Sequence, residues 1–393
     1  MRKAGKIKYF FVPLAIFVSL ALPVASMAQE IHLEGSASFW WLVHEEVENG
    51  KIQQSSGDYA AQEASGFNFS QGRLGVRFLS EGGAVEGLLR LRLEERTDII
   101  DAWGAYHFRP WLNFQVGLMK IPATSEILQS DSDIDFISRT TYAETAGDYA
   151  LSTTPYISLL MNTESKNRDM GMALKGRFPG DGKPAVKYFF MVSNGTGGNL
   201  YVGGKESQEY FYTNNFGDHL YGGRVEVLPI EGVMIGSHYS RNRHVDAIFK
   251  DKKAVFDLDR ISWSVDGQVK TPWLTKLYAF YAEGSLEDFW FASEYEFDWK
   301  GWGVWLMQGF WNGAVEVGVR YDIFLYEYDD DGNEKGIDTW TYGINLVPSE
   351  NSRIQINYMD KFTIDDFSDD LDDNVLFVNF QFRFQEGLLL ASP

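Results

Sequence analysis

Between Arg73 and Phe384 the chain keeps returning to a two-residue rhythm, and that rhythm constrains the fold more than any other feature. In Arg73–Phe78, Leu74, Val76 and Phe78 alternate with Arg73, Gly75 and Arg77. In Val85–Glu94, Leu89, Leu91 and Leu93 alternate with Arg90, Arg92 and Glu94. Comparable segments are Leu112–Leu118, Met172–Phe178, Val186–Val192, Tyr221–Val227, Trp263–Lys270, Phe289–Phe297, Val315–Ile323, Trp340–Leu346, Ile354–Tyr358 and Val375–Phe384. Successive side chains of a strand point to opposite faces, so each segment has one apolar, often aromatic face and one polar face. Helical spacing is sustained nowhere beyond the N-terminal segment. The chain reads as all-β.

The N-terminal segment reads as an export signal. Arg2, Lys3, Lys6 and Lys8 precede an apolar stretch, and Ser26-Met27-Ala28 supplies the small residues of a cleavage site. Cleavage is expected between Ala28 and Gln29, giving a signal peptide at 1–28 and one domain at 29–393. Beyond it the longest apolar run is Leu277–Ala282, far short of the ~20 residues that a membrane helix needs. Alternation alone fits a soluble sandwich as well as a transmembrane barrel, and three features favour the barrel. Many segments approach or exceed about 10 residues, against a usual 5–6. Aromatics such as Trp40, Trp41, Trp103, Trp111, Trp299, Trp302 and Trp311 crowd segment ends, as interface girdles do. Short Pro-marked turns at Arg109-Pro110-Trp111, Leu228-Pro229-Ile230 and Val347-Pro348-Ser349 contrast with long polar loops. A sheet in lipid must close on itself. A literal pass gives seventeen segments, so the expectation is an antiparallel barrel of about sixteen strands, with eighteen as the alternative. The ambiguity lies at 245–285, where Val255–Lys270 and Lys276–Glu283 resist a common orientation.

Composition narrows the function. With 35 Lys+Arg against 55 Asp+Glu, the charge of −20 argues against a nucleic-acid partner. The absence of cysteine excludes thiolate metal sites and cysteine nucleophiles. His32, His44, His107, His219, His238 and His244 lack metal-binding spacing, and no nucleophile elbow or phosphate-cradling loop occurs. No enzyme activity and no cofactor are expected. Glu327–Asp338 superficially echoes a calcium loop but reads better as an Asp-Gly turn between strands. Thr363–Asn374 reads as a solvated acidic loop, able to bridge to lipopolysaccharide through divalent cations.

From Asp101 the chain reads D-A-W-G-A-Y-H-F-R-P-W-L-N-F-Q-V-G-L-M-K-I-P, and S-D-S-D-I-D-F-I-S-R follows up to Arg139. This stretch resembles the phosphate-selective porin O and P family of Gram-negative outer membranes, in which a strand ending V-G-x-x-K-x-P leads into an inward-folded loop with an acidic D-x-D-F-I segment. Tyr221–Tyr239 and Tyr342–Tyr358 look like later hairpins of that family. The resemblance implies a sixteen-stranded outer-membrane channel, homotrimeric, inserted by the barrel-assembly machinery among outer-membrane lipid and lipopolysaccharide. It also implies a constriction loop at 121–166. The alternation of Val375–Phe384 gives a closing strand at 375–384, and residues 385–393, by which the chain departs from an ending on an aromatic, read as a short, expendable tail. The family carries a basic residue just before its acidic segment where this chain has Ser132.

The expected pore lining follows from strand faces. A turn at Ser80–Gly83 pairs Phe78 with Val85 and Leu74 with Leu89. That register sets Arg77 opposite Glu86, and Arg73 opposite Arg90 with Arg92 one step along. Like charges directly opposite destabilise a hairpin, so an anion or loop carboxylates should sit between the arginines; the bland alternative is two arginines splayed into a wide aqueous lumen. Asp131, Asp133 and Asp135 alternate with Ser132, Ile134 and Phe136, so an extended loop would project three carboxylates one way and anchor Ile134 and Phe136 to the wall. Together with Lys120 and Arg139 these residues form the expected constriction, near neutral to slightly positive, passing small hydrophilic solutes with weak anion preference. Two other readings stand beside it: an exported soluble β-rich carbohydrate-binding or hydrolytic protein, and a substrate-specific sugar or nucleobase channel on the same barrel. The export signal gives the first test. Mass spectrometry of the native protein should find Gln29 at its N-terminus, and detection of Met1–Ala28 would overturn the cleavage assignment.

Overall fold

The computed structural model describes residues 30–44, 66–93, 97–130, 132–143, 168–179, 184–194, 219–248, 255–290, 293–327, 334–364 and 373–389. Sixteen strands are formed. The first eight are β1 (Glu30–His44), β2 (Gly66–Leu79), β3 (Val85–Leu93), β4 (Thr97–Arg109), β5 (Leu112–Lys120), β6 (Arg168–Phe178), β7 (Ala185–Ser193) and β8 (Leu220–Leu228). The second eight are β9 (Val233–Ile248), β10 (Val255–Lys270), β11 (Thr275–Trp290), β12 (Ser293–Phe310), β13 (Val315–Glu327), β14 (Glu334–Ser349), β15 (Ser352–Ile364) and β16 (Asp373–Leu389). Each pairs antiparallel with its sequence neighbours, and β1 pairs with β16 to close a barrel. Both chain ends of the barrel lie on the side of the short turns, and the longer connections lie on the other.

Alternation decides what each face meets. Outward-facing Val116, Leu174, Phe190, Tyr239, Val304, Tyr342 and Phe382 are exposed around the wall. Inward-facing Gln115, Ser264, Asp266, Asn345, Gln355 and Asn379 are buried. A continuous exposed apolar belt on a closed sheet is incompatible with water and matches hydrocarbon. The chain is therefore a transmembrane β-barrel. The wall is uneven: β5, β7 and β8 have 9 residues each, whereas β12 has 18.

Three sequence expectations need correction. Phe289–Phe297 is not one strand: β11 ends at Trp290 and β12 begins at Ser293, with Trp290 facing Ser293 and Phe289 facing Glu294. A two-residue connection is too short to interrupt the alternation, so the pattern reads straight through it. At 245–285 both doubtful segments are real strands, paired from Leu258–Asp288 down to Lys270–Lys276. Thr271–Leu274 reverses the chain between them, with Leu274 at φ 64° and the Thr271 hydroxyl accepting the Thr275 N–H at 3.2 Å. The tail is largely strand. Residues Gln385–Leu389 continue β16 and pair with Glu30–Glu34, so the closing seam is longer than the aromatic run Phe380–Phe384 indicates.

That seam makes a prediction opposite to an expendable tail. Deleting 385–393 removes five residues from the ladder that closes the barrel. The truncated chain should show less of the SDS-resistant, fast-migrating band on unheated gels than the full chain does. Equal bands would mean that the seam is closed by the upper part of β16 alone.

Candidate constriction site

The connection between β5 and β6 folds into the barrel, and its described residues 121–130 and 132–143 touch the inner wall from β8 round to β2. It leaves β5 at Lys120, whose ammonium donates to the carbonyls of Ile127 and Leu128 at 2.9 and 3.1 Å. These residues lie in α1 (Ser125–Leu128), a single helical turn, so Lys120 ties the strand end to the loop. Arg139 closes the same clip from the returning limb, donating to the Gln129 carbonyl at 2.9 Å and to that of Glu126. Glu126 is buried and accepts the Thr140 N–H at 2.9 Å and the Thr140 hydroxyl at 2.7 Å. Burial pushes its carboxyl above the ordinary carboxylate range, with the guanidiniums of Arg320 and Arg139 opposing. Burial also pushes the Tyr142 phenol up, and Asp266 and Glu126 add to the shift.

The wall grips this clip with polar side chains of β10–β16. The Ser125 N–H donates to Asp266, and the Ser125 hydroxyl to Tyr278, at 3.3 and 3.1 Å. Asn357 accepts the Ile137 N–H and Asp322 the Thr141 N–H, each at 2.6 Å. Arg320 donates to the Ser138 carbonyl at 2.7 Å, Arg353 to that of Ile134 at 2.9 Å and Asn345 to that of Asp135 at 2.8 Å. An irregular loop inside a barrel needs such partners, because buried peptide groups left unpaired cost about 1–3 kcal/mol each. Apolar contacts complete the grip: Ile134 and Phe136 are buried, and Tyr142 stacks between Phe280 and Trp299 at 5.3 and 5.5 Å.

The expected pore residues fall into distinct places. Asp131 lies outside the described residues, as do Ala28 and Gln29. Asp133 and Asp135 do not project together. Asp133 turns to Arg383 of β16 at 2.7 Å, whereas Asp135 turns behind the loop to Lys276 at 3.0 Å and the Trp305 indole at 3.3 Å. The hairpin register also differs by two residues: Arg73 faces Arg92, Gly75 faces Arg90, and Glu86 faces Leu79. Gly82 and Gly83 take φ of 71° and 68°, and the Ser80 hydroxyl accepts the Val85 N–H at 2.9 Å, which places the turn at 81–84. A shift of two keeps every side chain on its face, so the lumen set survives and only its pairs change. Arg77 still reaches Glu86, diagonally, at 2.7 Å, and Glu86 also meets His107 at 2.9 Å.

One cleft of about 450 Å³ brings together Arg73, Arg90 and Asp133 with Glu34, Ser130, Ser132 and Arg383. It separates the loop tip from the wall of β16, β1, β2 and β3. Arg73 donates to the Ser130 hydroxyl at 3.4 Å, and Arg90 is held by Glu34 and by Asp101, the latter at 2.9 Å. The structure keeps Arg77 and Glu86 nearer the turns, and uses Lys120 and Arg139 inside the loop. Glu34, Lys276, Arg320, Arg353 and Arg383 escaped the sequence reading because each looks like any polar-face residue of a strand. One signal was present. Trp299, Gly301, Gly303, Trp305 and Met307 share the inward face of β12 while Trp302, Val304 and Leu306 face outward, so from Gly301 to Met307 this strand has no polar face, and something apolar must cover it from inside.

No protein-family model matches the chain, and none of the curated proteins is similar to it in sequence. Solved structures are similar in fold. The outer membrane channel DcaP of Acinetobacter baumannii superposes with a TM-score of 0.58 at 11% identity, over 91% of this chain and 98% of that one. OmpF of Salmonella typhi gives 0.57 at 10% over 91% and 99%. An anion-selective porin from Comamonas acidovorans gives 0.56 at 11% over 90% and 98%. The chain has the fold of the sixteen-stranded outer-membrane porins.

The buried Glu126 sets a pH dependence whose sign is fixed by its environment. A carboxyl raised on folding favours the folded loop while protonated, and that contribution is lost as pH rises through its raised value. Stability of the native protein should therefore fall, relative to Glu126→Gln, as pH climbs out of the ordinary carboxylate range. Thermal unfolding of both across pH tests this, and parallel curves would remove Glu126 as the source.

Proposed function

We propose that the protein is a passive outer-membrane diffusion channel for small hydrophilic solutes and ions, with weak anion preference, working as a homotrimer. The observation that carries this reading is the loop folded into the lumen against a basic wall. The inward faces of β2, β3, β6, β7 and β16 carry Arg73, Arg77, Arg90, Arg92, Lys175, Arg177, Lys187 and Arg383. Glu30, Glu34, Glu86, Asp101 and Asp169 offset much of this charge on the inward faces of β1, β3, β4 and β6, and Glu226 of β8 pairs with Lys187. The remaining excess is small and positive. Charges lining a constriction act at close range, whereas charges further off than a Debye length, about 8 Å in physiological salt, act weakly on passing ions. The overall charge of −20 is therefore a poor guide to what passes. The anion-selective Comamonas porin and the trimeric form of OmpT of Vibrio cholerae share this fold, which supports the reading without fixing it. The resemblance around Lys120 to the phosphate-selective O and P family supports an anion route, but Lys120 spends its ammonium on loop carbonyls. Weak preference is accordingly proposed in place of strict phosphate selectivity.

Planar-bilayer recording in a salt gradient tests the proposal. The native protein should conduct, with a reversal potential displaced modestly towards anions. Arg73→Glu with Arg90→Glu should displace it towards cations, whereas deleting 365–373 should move it much less. An unchanged potential in the double variant would remove these arginines from the narrow part of the pore.

A further inference from the structure

Three side chains of the inward loop each rest on a glycine of the barrel wall. An ideal Cβ built on Gly222 of β8 would lie 3.0 Å from Pro122 Cγ. One on Gly343 of β14 would lie 3.0 Å from two carbons of the Phe136 ring. One on Gly301 of β12 would lie 2.9 Å from Tyr142 Cβ. All three glycines face inward by strand pairing, opposite Met191 and Ser240, Gly318 and Asn357, and Ala282 and Phe324 respectively. The three loop residues stand at the loop's departure from β5, in the middle of its described part and at the end of that part. Phe136 is also covered by the Arg320 guanidinium, 5.1 Å from its ring centroid.

We infer that Pro122, Phe136 and Tyr142, seated on Gly222, Gly343 and Gly301, set the distance of the loop from the wall and thereby the width of the open channel. The inference rests on the proposed channel and names the residues that fix its aperture. Hydrogen bonds tolerate rotation and small slides, whereas a ring lying on bare backbone at van der Waals distance has no room to approach. The wall offers this contact only where a Cβ is missing. A methyl or isopropyl group at a seat pushes the loop away from β8–β14, towards the cleft beneath Arg73 and Arg90. Loss of a peg lets the loop rock on its remaining contacts.

The chain has no cysteine, so a single engineered pair reports on the seat without competing thiols. Gly301→Cys with Tyr142→Cys places two Cβ atoms 2.9 Å apart, so a small outward shift of the loop brings them to the roughly 3.5–4.5 Å that a disulfide spans. Mass spectrometry of the folded, membrane-extracted protein should find this bond formed under mild oxidant. Gly301→Val alone should lower the native unitary conductance, and adding Tyr142→Gly, which removes the Cβ that the new side chain meets, should restore it towards the native value. Failure of the disulfide in a protein that folds would overturn the seating. A bond that forms while Gly301→Val conducts normally would overturn its control of the aperture. Absence of current from the native protein would overturn the channel itself, and the disulfide result would still stand as a reading of the seat.

Discussion

A peptide group surrounded by hydrocarbon has no water to bond, and everything in this molecule follows from that condition. Each strand must find partners on both sides, so the sheet closes, β1 against β16, with no edge left over. Closure creates an inside. The same rule then applies a second time, because a long irregular segment is placed within that interior. Its amides and carbonyls must be met by the wall, and Asn345, Arg320, Arg353, Asn357 and Asp322 meet them. The barrel thus has two different inner surfaces: a dry one under the loop, packed like the core of a soluble protein, and a wet one facing the cleft.

The division explains why the charges sort as they do. On the dry side ionic groups are held in closed sets, as in Lys276 between Asp135 and Glu316 at 3.0 and 2.9 Å, or Arg224 against Asp266 at 2.6 Å. An ion taken out of water without a counter-charge costs several kcal/mol, so pairing is obligatory there. On the wet side Arg73, Arg90 and Arg383 also have partners, but the cleft still borders them.

Much of the architecture was legible in the sequence. Alternation of Leu89, Leu91 and Leu93 with Arg90 and Arg92 identifies β3 and its faces, because period two is a property of the backbone alone. What alternation does not carry is register, end points and company. The position of the β2–β3 turn depends on which two glycines adopt positive φ. The extent of β16 depends on the partner strand, since Gln385 and Glu386 have no apolar pattern of their own. The run Leu277–Ala282 is too short for a membrane helix, and its length concealed its meaning: Tyr278, Phe280 and Ala282 point to the loop while Leu277 and Tyr281 point outward. A strand apolar on both faces is a strand covered on both faces. Asp135 was misread for a related reason. Its spacing matches Asp133, but the loop turns between them, and Lys276 lies on the far side.

The inward loop is made early and satisfied late. It stands between β5 and β6, yet Ile137 is bonded to Asn357 and Asp133 to Arg383, 220 and 250 positions further along the chain. Until β14–β16 are added, the loop's middle lacks Asn345, Arg353, Asn357 and Arg383, and once they are added the strand seam can close. Contacts of such separation are slow to form. Seating of the loop and sealing of the cylinder therefore belong to the same late event, and the part that narrows the passage also registers that the last strands have arrived.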